Sequence, residues 1–310
     1  MKKISIGIIG TGKVAQEYIK IFKKLNTEIK IVCARKKIKL KNFCLKNNIK
    51  KNTTNFDNVL KENLDGIVCC VTPSSSFQVS KKLLKFNGKI LFEKPVGLNY
   101  VETLKIRNFF HKKKNFFVAL NRRYIYSVIK AKKIIKNTRE KKFLSIYDQE
   151  NTIQAKKNGH DQLTINNWMY ANSIHLIDLI NFYTNSKITR IEKKNKIFKK
   201  HNIYFSIIYY KNGDIVEFKS YWNKPAPWKI NISTSKIFIQ LKPIEELKVT
   251  NFNKKIIKNY HKDKIDVNFK PGFYRQCVDF IKEIRKNKSN LVNLEEYLYS
   301  VKLTKKIFFN

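Results

Sequence analysis

The chain has 310 residues, of which 43% are hydrophobic and 13% aromatic, so it can bury two domain cores and is not a disordered polymer. Its formal net charge is +42, yet the lysines are spread along the whole chain, outnumber the forked arginines that phosphate and base readers favour, and rise together with Asn and Ile. That pattern fits an AT-rich coding bias, and no nucleic-acid partner is expected.

No apolar run approaches the ~18 residues of a membrane span. The opening Met1–Gly7 carries neither the hydrophobic segment nor the cleavage site of a signal peptide. Cys33, Cys44, Cys69, Cys70 and Cys277 are scattered without metal-ligand spacing. Reduced thiols in a cytoplasmic protein, with no bound metal and no membrane partner, are the expectation.

The first part alternates strands and helices. Ile4–Ile9 reads as a strand, Lys13–Lys24 as an amphipathic helix and Ile29–Ala34 as a second strand, with a Lys-rich helix following to about Asn47. Gly66–Val71 is a buried strand ending at Thr72-Pro73, with a helix over Ser75–Phe86. Lys89–Phe92, Tyr100–Lys112 and Phe116–Leu120 continue as strand, helix and strand. Such alternation predicts a parallel, doubly wound Rossmann sheet in an α/β protein.

After a helix over Ser127–Asn137, strands dominate: Phe143–Glu150, Ile188–Lys193, Ile203–Tyr210, Asp214–Tyr221, Lys229–Thr234 and Lys236–Leu241. Asn212-Gly213 marks a hairpin turn. One helix, about Asn172–Tyr183, interrupts them, and two close the chain, Gly272–Lys286 and Leu294–Ile307. The expected domains are 1–121, a Rossmann dinucleotide-binding domain, and 122–310, an α+β domain with a mostly antiparallel open sheet for substrate binding and oligomerisation.

Gly10-Thr11-Gly12-Lys13-Val14-Ala15 fits G-x-G-x-x-G/A between the first strand and the first helix. Gly10 allows the tight turn, Gly12 lets a pyrophosphate approach the backbone, and Ala15 lets helix and strand pack closely. The helix start then offers free N–H groups to phosphate. At the end of the second strand the run Ala34-Arg35-Lys36 has no acid for a ribose 2′-hydroxyl, whereas Arg35 and Lys36 can pair with a 2′-phosphate. NADP is therefore expected ahead of NAD.

Phe92-Glu93-Lys94-Pro95 ends another strand of the same sheet, where ligands of such sheets bind. Lys94 there can hold a substrate hydroxyl and share its proton, once burial beside a positive nicotinamide lowers its basicity. In Trp168-Met169-Tyr170-Ala171-Asn172-Ser173-Ile174-His175-Leu176-Ile177-Asp178, helical spacing puts His175 on one face with Asp178 and with Asn172. That face suits proton transfer or hydroxyl binding; alternatively, Asn172 or Ser173 caps the helix and His175 is a satisfied structural group.

Together these motifs resemble the glucose–fructose oxidoreductase / inositol dehydrogenase / MocA (Gfo/Idh/MocA) family over nearly the whole chain: Gly10–Ala15, Thr72-Pro73, Gly88-Lys89, Glu93-Lys94-Pro95 and the His175–Asp178 helix. The resemblance implies that Lys94 and His175 face the nicotinamide across the domain cleft and are catalytic. It implies that Gly10, Thr11, Gly12, Lys13, Val14, Arg35, Thr72, Pro73, Glu93 and Lys94 bind the cofactor, and that Arg123, Trp168, Asn172 and Asp178, with Tyr170 nearby, line the substrate pocket. A cis bond before Pro95, a homodimer or homotetramer, and a sugar, inositol or nucleotide-sugar substrate are implied as well. Ala171 and Phe77 stand where the family often has an acid or Asn and a His, and the segment around Trp168 looks most like members of surface-polysaccharide pathways. The resemblance also admits a member that binds cofactor without net turnover, or one that uses transient oxidation for non-redox sugar chemistry.

Overall fold

A computed structural model describes residues 3–136, 140–184, 186–197 and 202–309. The chain forms two units, Met1–Asn121 with Phe273–Leu298, and Arg122–Gly272 with Tyr299–Asn310. The 122–310 span expected for the second domain is therefore too long: its Phe273–Leu298 stretch belongs to the first unit.

The first unit is built on β1 (Ser5–Ile9), β2 (Glu28–Cys33), β3 (Lys51–Thr53), β4 (Gly66–Cys69), β5 (Lys89–Glu93) and β6 (Phe116–Ala119). They run parallel in the order β6-β5-β4-β1-β2-β3, and the short strand Val292–Asn293 pairs antiparallel outside β6. The order reverses between β1 and β4, which is the switch point where doubly wound sheets open a crevice. The strand–helix alternation of the sequence thus has its expected outcome, and β3 is an added edge strand that is too short and exposed to leave an apolar pattern.

The Lys13–Lys24 helix buries Ala15, Tyr18, Ile19 and Phe22, at the i, i+3, i+4, i+7 spacing of a single face. This face meets the Phe273–Lys286 helix: the Tyr18 and Phe273 rings lie 5.1 Å apart and the Phe22 and Phe280 rings 6.4 Å apart. Aromatic burial of this kind contributes roughly 1.5–3 kcal/mol per side chain. It explains why a late stretch of chain returns to the first unit.

The second unit carries β7 (Phe143–Glu150), β8 (Ile188–Lys193), β9 (Lys196–Ile197), β10 (Asn202–Tyr210), β11 (Ile215–Trp222), β12 (Lys229–Ser233), β13 (Ile237–Leu241), β14 (Leu247–Asn251) and β15 (Ile256–Tyr260). The sheet order is β15-β14-β13-β12-β7-β11-β10-β8, with β9 beside β10. All pairs are antiparallel except β7 and β11, which run parallel from Phe143 beside Ile215 to Glu150 beside Trp222. Gly213, at φ +83°, turns the β10–β11 hairpin where Asn212-Gly213 was read. One face of the sheet is buried through Leu144, Ile146, Val216, Phe218, Ile230 and Ile232, the period of two expected for a one-sided sheet. The helix before β7 spans Tyr126–Lys136, and its expected last residue, Asn137, lies outside the described residues. No helix among the described residues is long and apolar enough to cross a membrane.

Candidate active site

In the first unit three strands end side by side. Ile9 is level with Cys69, and Cys69 with Phe92. Beyond this line the chain leaves as Gly10 after β1, Cys70 after β4 and Glu93-Lys94-Pro95 at the end of β5, so the Gly-x-Gly turn, Thr72-Pro73 and Lys94 all follow the carboxyl edge of one sheet. Gly10 has φ +108°, and its N–H donates to the Cys33 carbonyl at 2.8 Å. A Cβ there would lie 2.8 Å from the Cys70 carbonyl carbon, so no side chain fits.

Gly12 contrasts with Gly10. It precedes the first helical residue, its side is exposed, and a Cβ there would meet nothing within 4 Å. No side chain caps the helix start and its first turn has no acid. The N–H groups of Lys13, Val14 and Ala15, in the first turn, have no acceptor within the helix. Such a helix start fits a dinucleotide pyrophosphate, which the Gly10–Val14 stretch would hold.

Arg35 and Lys36 are exposed after β2 and form no ion pair among the described residues. Pro73 opens a short 3-10 turn, and the Thr72 hydroxyl sits 3.0 Å from that of Ser75. Lys94 is half-buried and its bond to Pro95 is cis. Glu93, expected among the cofactor ligands, accepts a 2.7 Å hydrogen bond from the Tyr18 hydroxyl of the first helix, which also takes one from Gln276 at 3.3 Å. Burial, followed by the Glu93 charge, pushes the Tyr18 hydroxyl well above its ordinary range, so Tyr18 stays a donor. Phe77 packs 6.1 Å from Phe109, in an apolar contact.

In the second unit, the expected Asn172–Tyr183 helix begins differently. Met169–Ser173 is a single π-helical turn, and the α-helix runs Ile174–Thr184. Asn172 and Ser173 are not helix caps: both side chains donate to Glu150, the last residue of β7. Trp168 donates to the same carboxyl. Tyr170, expected near the pocket, is instead 2% exposed and stacked on Phe309.

His175 is 5% exposed, with its ring 6.5 Å from that of Trp228. Over the Trp228 ring lies the Arg122 guanidinium, 5.4 Å away, itself 3.5 Å from Glu245. Burial lowers the Arg122 pKa. Asp178 is not an open pocket group: its oxygens accept from Arg123 at 2.7 Å twice, and from Ser300 at 2.9 Å. Arg123 and Asp178 are therefore brought together, as are Trp168 and Asn172.

Glu150, Asp148, Trp228 and Arg122 were missed in the sequence. One signal was present: on β7 the buried alternation Leu144, Ile146 continues into Asp148 and Glu150, placing two acids on an apolar face.

Residues 4–120 match the model of an oxidoreductase family with an NAD-binding Rossmann fold, that of the Gfo/Idh/MocA proteins. No curated protein sequence matches the chain. Among solved structures, a dehydrogenase from Chromobacterium violaceum aligns with a TM-score of 0.84 at 14% identity, covering 99% of this chain and 95% of that one. The UDP-N-acetylglucosamine 3-dehydrogenase GnnA from Acidithiobacillus ferrooxidans aligns at 0.80 and 11% identity, over 99% and 97%. The WlbA dehydrogenase from Chromobacterium violaceum, in complex with NADH and UDP-GlcNAcA, aligns at 0.79 and 13% identity, over 99% and 93%. At these identities the structures speak for a shared fold. Residues 4–120 thus resemble the NAD-binding Rossmann domain of the Gfo/Idh/MocA oxidoreductase family, and the whole chain shares the fold of these dehydrogenase structures.

Proposed function

We propose that the protein oxidises or reduces a CH–OH/ketone carbon of a sugar, inositol or nucleotide sugar, with a nucleotide sugar of surface-polysaccharide synthesis as the first choice. The observation that carries this reading is the position of Lys94, directly after a strand whose carboxyl end is level with those that precede the Gly-x-Gly turn and Thr72-Pro73. The names of GnnA and WlbA, and the ligand of the latter, support the substrate class.

When bound, a nicotinamide supplies the hydride acceptor or donor. Lys94 as the neutral amine takes the proton from the substrate hydroxyl during oxidation, and as the ammonium it returns one during reduction; with an ordinary pKa of about 10.4 the amine is available at neutral pH only where its surroundings lower that value. His175 is the proposed catalytic side chain of the second unit. Trp168 and Asn172 are the substrate-binding side chains, while Arg123 and Asp178 neutralise one another and fix the helix one turn beyond His175. Arg35 favours NADP over NAD.

The half-buried outer face of the second sheet, with Tyr147, Phe205, Tyr209 and Tyr221 between charged neighbours, is the proposed homo-oligomer surface. The five free cysteines support a reducing, cytoplasmic setting.

The test is a spectrophotometric screen of NADP and NAD against free sugars, inositols and UDP-sugars, in both reaction directions. Turnover of the nicotinamide with at least one member is expected. A protein that binds cofactor and turns over none of them overturns this reading.

A further inference from the structure

Four hydrogen bonds from one stretch of chain end on one buried carboxyl. Glu150, 1% exposed, accepts from Trp168 Nε1 at 2.5 Å, from Asn172 Nδ2 at 2.8 and 3.1 Å, and from Ser173 Oγ at 3.3 Å. Two residues earlier on the same face is Asp148, fully buried, which accepts from Ser220 Oγ at 2.7 Å; that hydroxyl in turn accepts from Trp222 Nε1 at 2.9 Å. No cation pairs with either acid among the described residues.

Two carboxylate charges without a cation cannot share such a site, because each is desolvated and each repels the other. The pair therefore keeps a proton. Burial raises the pKa of both, and the Asp148 charge raises that of Glu150 further. Asp148 Oδ1 is buried with no hydrogen-bond donor among the described residues; a proton carried by Glu150 supplies one. In this state Glu150 is a neutral group with an acceptor oxygen for the turn and an O–H for Asp148.

The donors flank an unusual piece of backbone. Trp168 stands just before the π-turn Met169–Ser173, while Asn172 and Ser173 lie at its end, two residues and one residue ahead of the α-helix that carries His175. A π-turn is rare, occurs mostly as a single turn inside a helix and is frequent at functional sites, where neighbouring side chains can hold its geometry. Here the holding group is one side chain of the neighbouring sheet.

We propose that Glu150 is a positioning residue of this unit, clamping the Met169–Ser173 turn so that Trp168 and Asn172 keep a fixed pose and His175 a fixed helical register. That these three meet substrate rests on the reading under Proposed function; the clamp itself does not.

The clamp is tested on the full chain, loaded with NADPH, by comparing the parent with Glu150→Ala, Glu150→Gln and Asn172→Ala. Hydrogen exchange over residues 168–175 is read together with UDP-N-acetylglucosamine titration and NADPH affinity. In Glu150→Ala, exchange over 168–175 should rise about tenfold or more, the size of effect that follows from orphaning buried donors. Exchange in β10 and β11 and NADPH affinity should stay at the parental level. Glu150→Gln should stay within about threefold of the parent, since a carboxamide keeps one acceptor and one donor as the protonated acid does. Asn172→Ala, which leaves the carboxyl and its other donors in place, should fall between, and it carries the test if Glu150→Ala does not fold.

Unchanged exchange at 168–175, an equal rise in β10 and β11, or Glu150→Gln as loose as Glu150→Ala would each overturn the clamp. Weakened UDP-N-acetylglucosamine binding in Glu150→Ala supports its part in substrate binding. A parent that fails to bind this probe removes the nucleotide-sugar reading, and the exchange pattern alone then decides the clamp.

Discussion

Gly10 lies against the Cys70 carbonyl so closely that a Cβ would stand 2.8 Å from the carbonyl carbon, while Gly12, two residues on, faces open space. The same Gly-x-Gly motif thus holds two different constraints, one internal to the fold and one facing the ligand. Gly10→Ala meets both the clash and an unfavourable φ of +108°, and should destabilise the protein by roughly 2–5 kcal/mol. Gly12→Asp should leave stability within about 1 kcal/mol of the parent, since Asp is a good residue at a helix N-cap. It should nonetheless abolish dinucleotide binding by placing charge at the proposed pyrophosphate position. Urea unfolding and NADPH fluorescence titration of the two variants check the contrast; Gly12→Asp that binds like the parent contradicts the site.

Arg35 is exposed at the end of β2 and without an ion-pair partner among the described residues. A guanidinium so placed is free to pair with a 2′-phosphate. Arg35→Ala should narrow the NADP-over-NAD preference by roughly 1–3 kcal/mol. Calorimetric titration with both cofactors reads the difference directly, and a parent that prefers NAD removes the basis for it.

The Arg123–Asp178 pair is a fold element rather than a ligand site. Asp178 is 1% exposed, and both contacts to Arg123 are 2.7 Å. Arg123→Ala leaves that carboxylate buried with Ser300 as its remaining donor and should cost about 3–5 kcal/mol of stability. A denaturation midpoint unmoved by the change would show instead that the side chain is held for a ligand.

The acid pair on β7 gives an unusual pH dependence. The proton affinity of Glu150 is raised by burial, then by Asp148. Between the ordinary carboxylate range, about 4.3, and the raised folded value, the folded protein holds a proton that the unfolded chain has released. The pair's contribution is therefore complete at low pH and is lost as pH rises through that window, at up to about 1.4 kcal/mol per pH unit. Glu150→Gln should flatten this component. Unfolding free energies of parent and variant across the acid and neutral range would have parallel slopes if the pair held no proton.

Much of the architecture was legible because two signals are local. Short apolar runs followed by helices with a Lys13–Lys24 type of face identify a doubly wound sheet, and Asn212-Gly213 betrays the β10–β11 hairpin of the second sheet. The edge strands β3 and β15 were not legible, since Lys51–Thr53 and Ile256–Tyr260 are largely exposed and bury no periodic face. The return of Phe273–Leu298 to the first unit depends on which aromatic faces meet, a tertiary matter that the helix's own pattern leaves open. In the site, Gly10, Gly12 and Lys94 could be read because turn and strand-end geometry is encoded nearby. The partnerships of Asp178 with Arg123, and of Asn172 with Glu150, join residues 55 and 22 positions apart and depend on packing alone. The π-turn misplaced the expected helix start for the same reason.

Lys94 is the proposed carrier of the substrate proton in a nicotinamide-dependent reaction. The most direct measurement is single-turnover kinetics of Lys94→Ala beside the parent, with the substrate found in the screen and with NADPH affinity measured in parallel. The chemical step should slow by about 10²–10⁴-fold while NADPH binds as in the parent. A variant that turns over at the parental rate, or one that loses cofactor binding and turnover together, would contradict it.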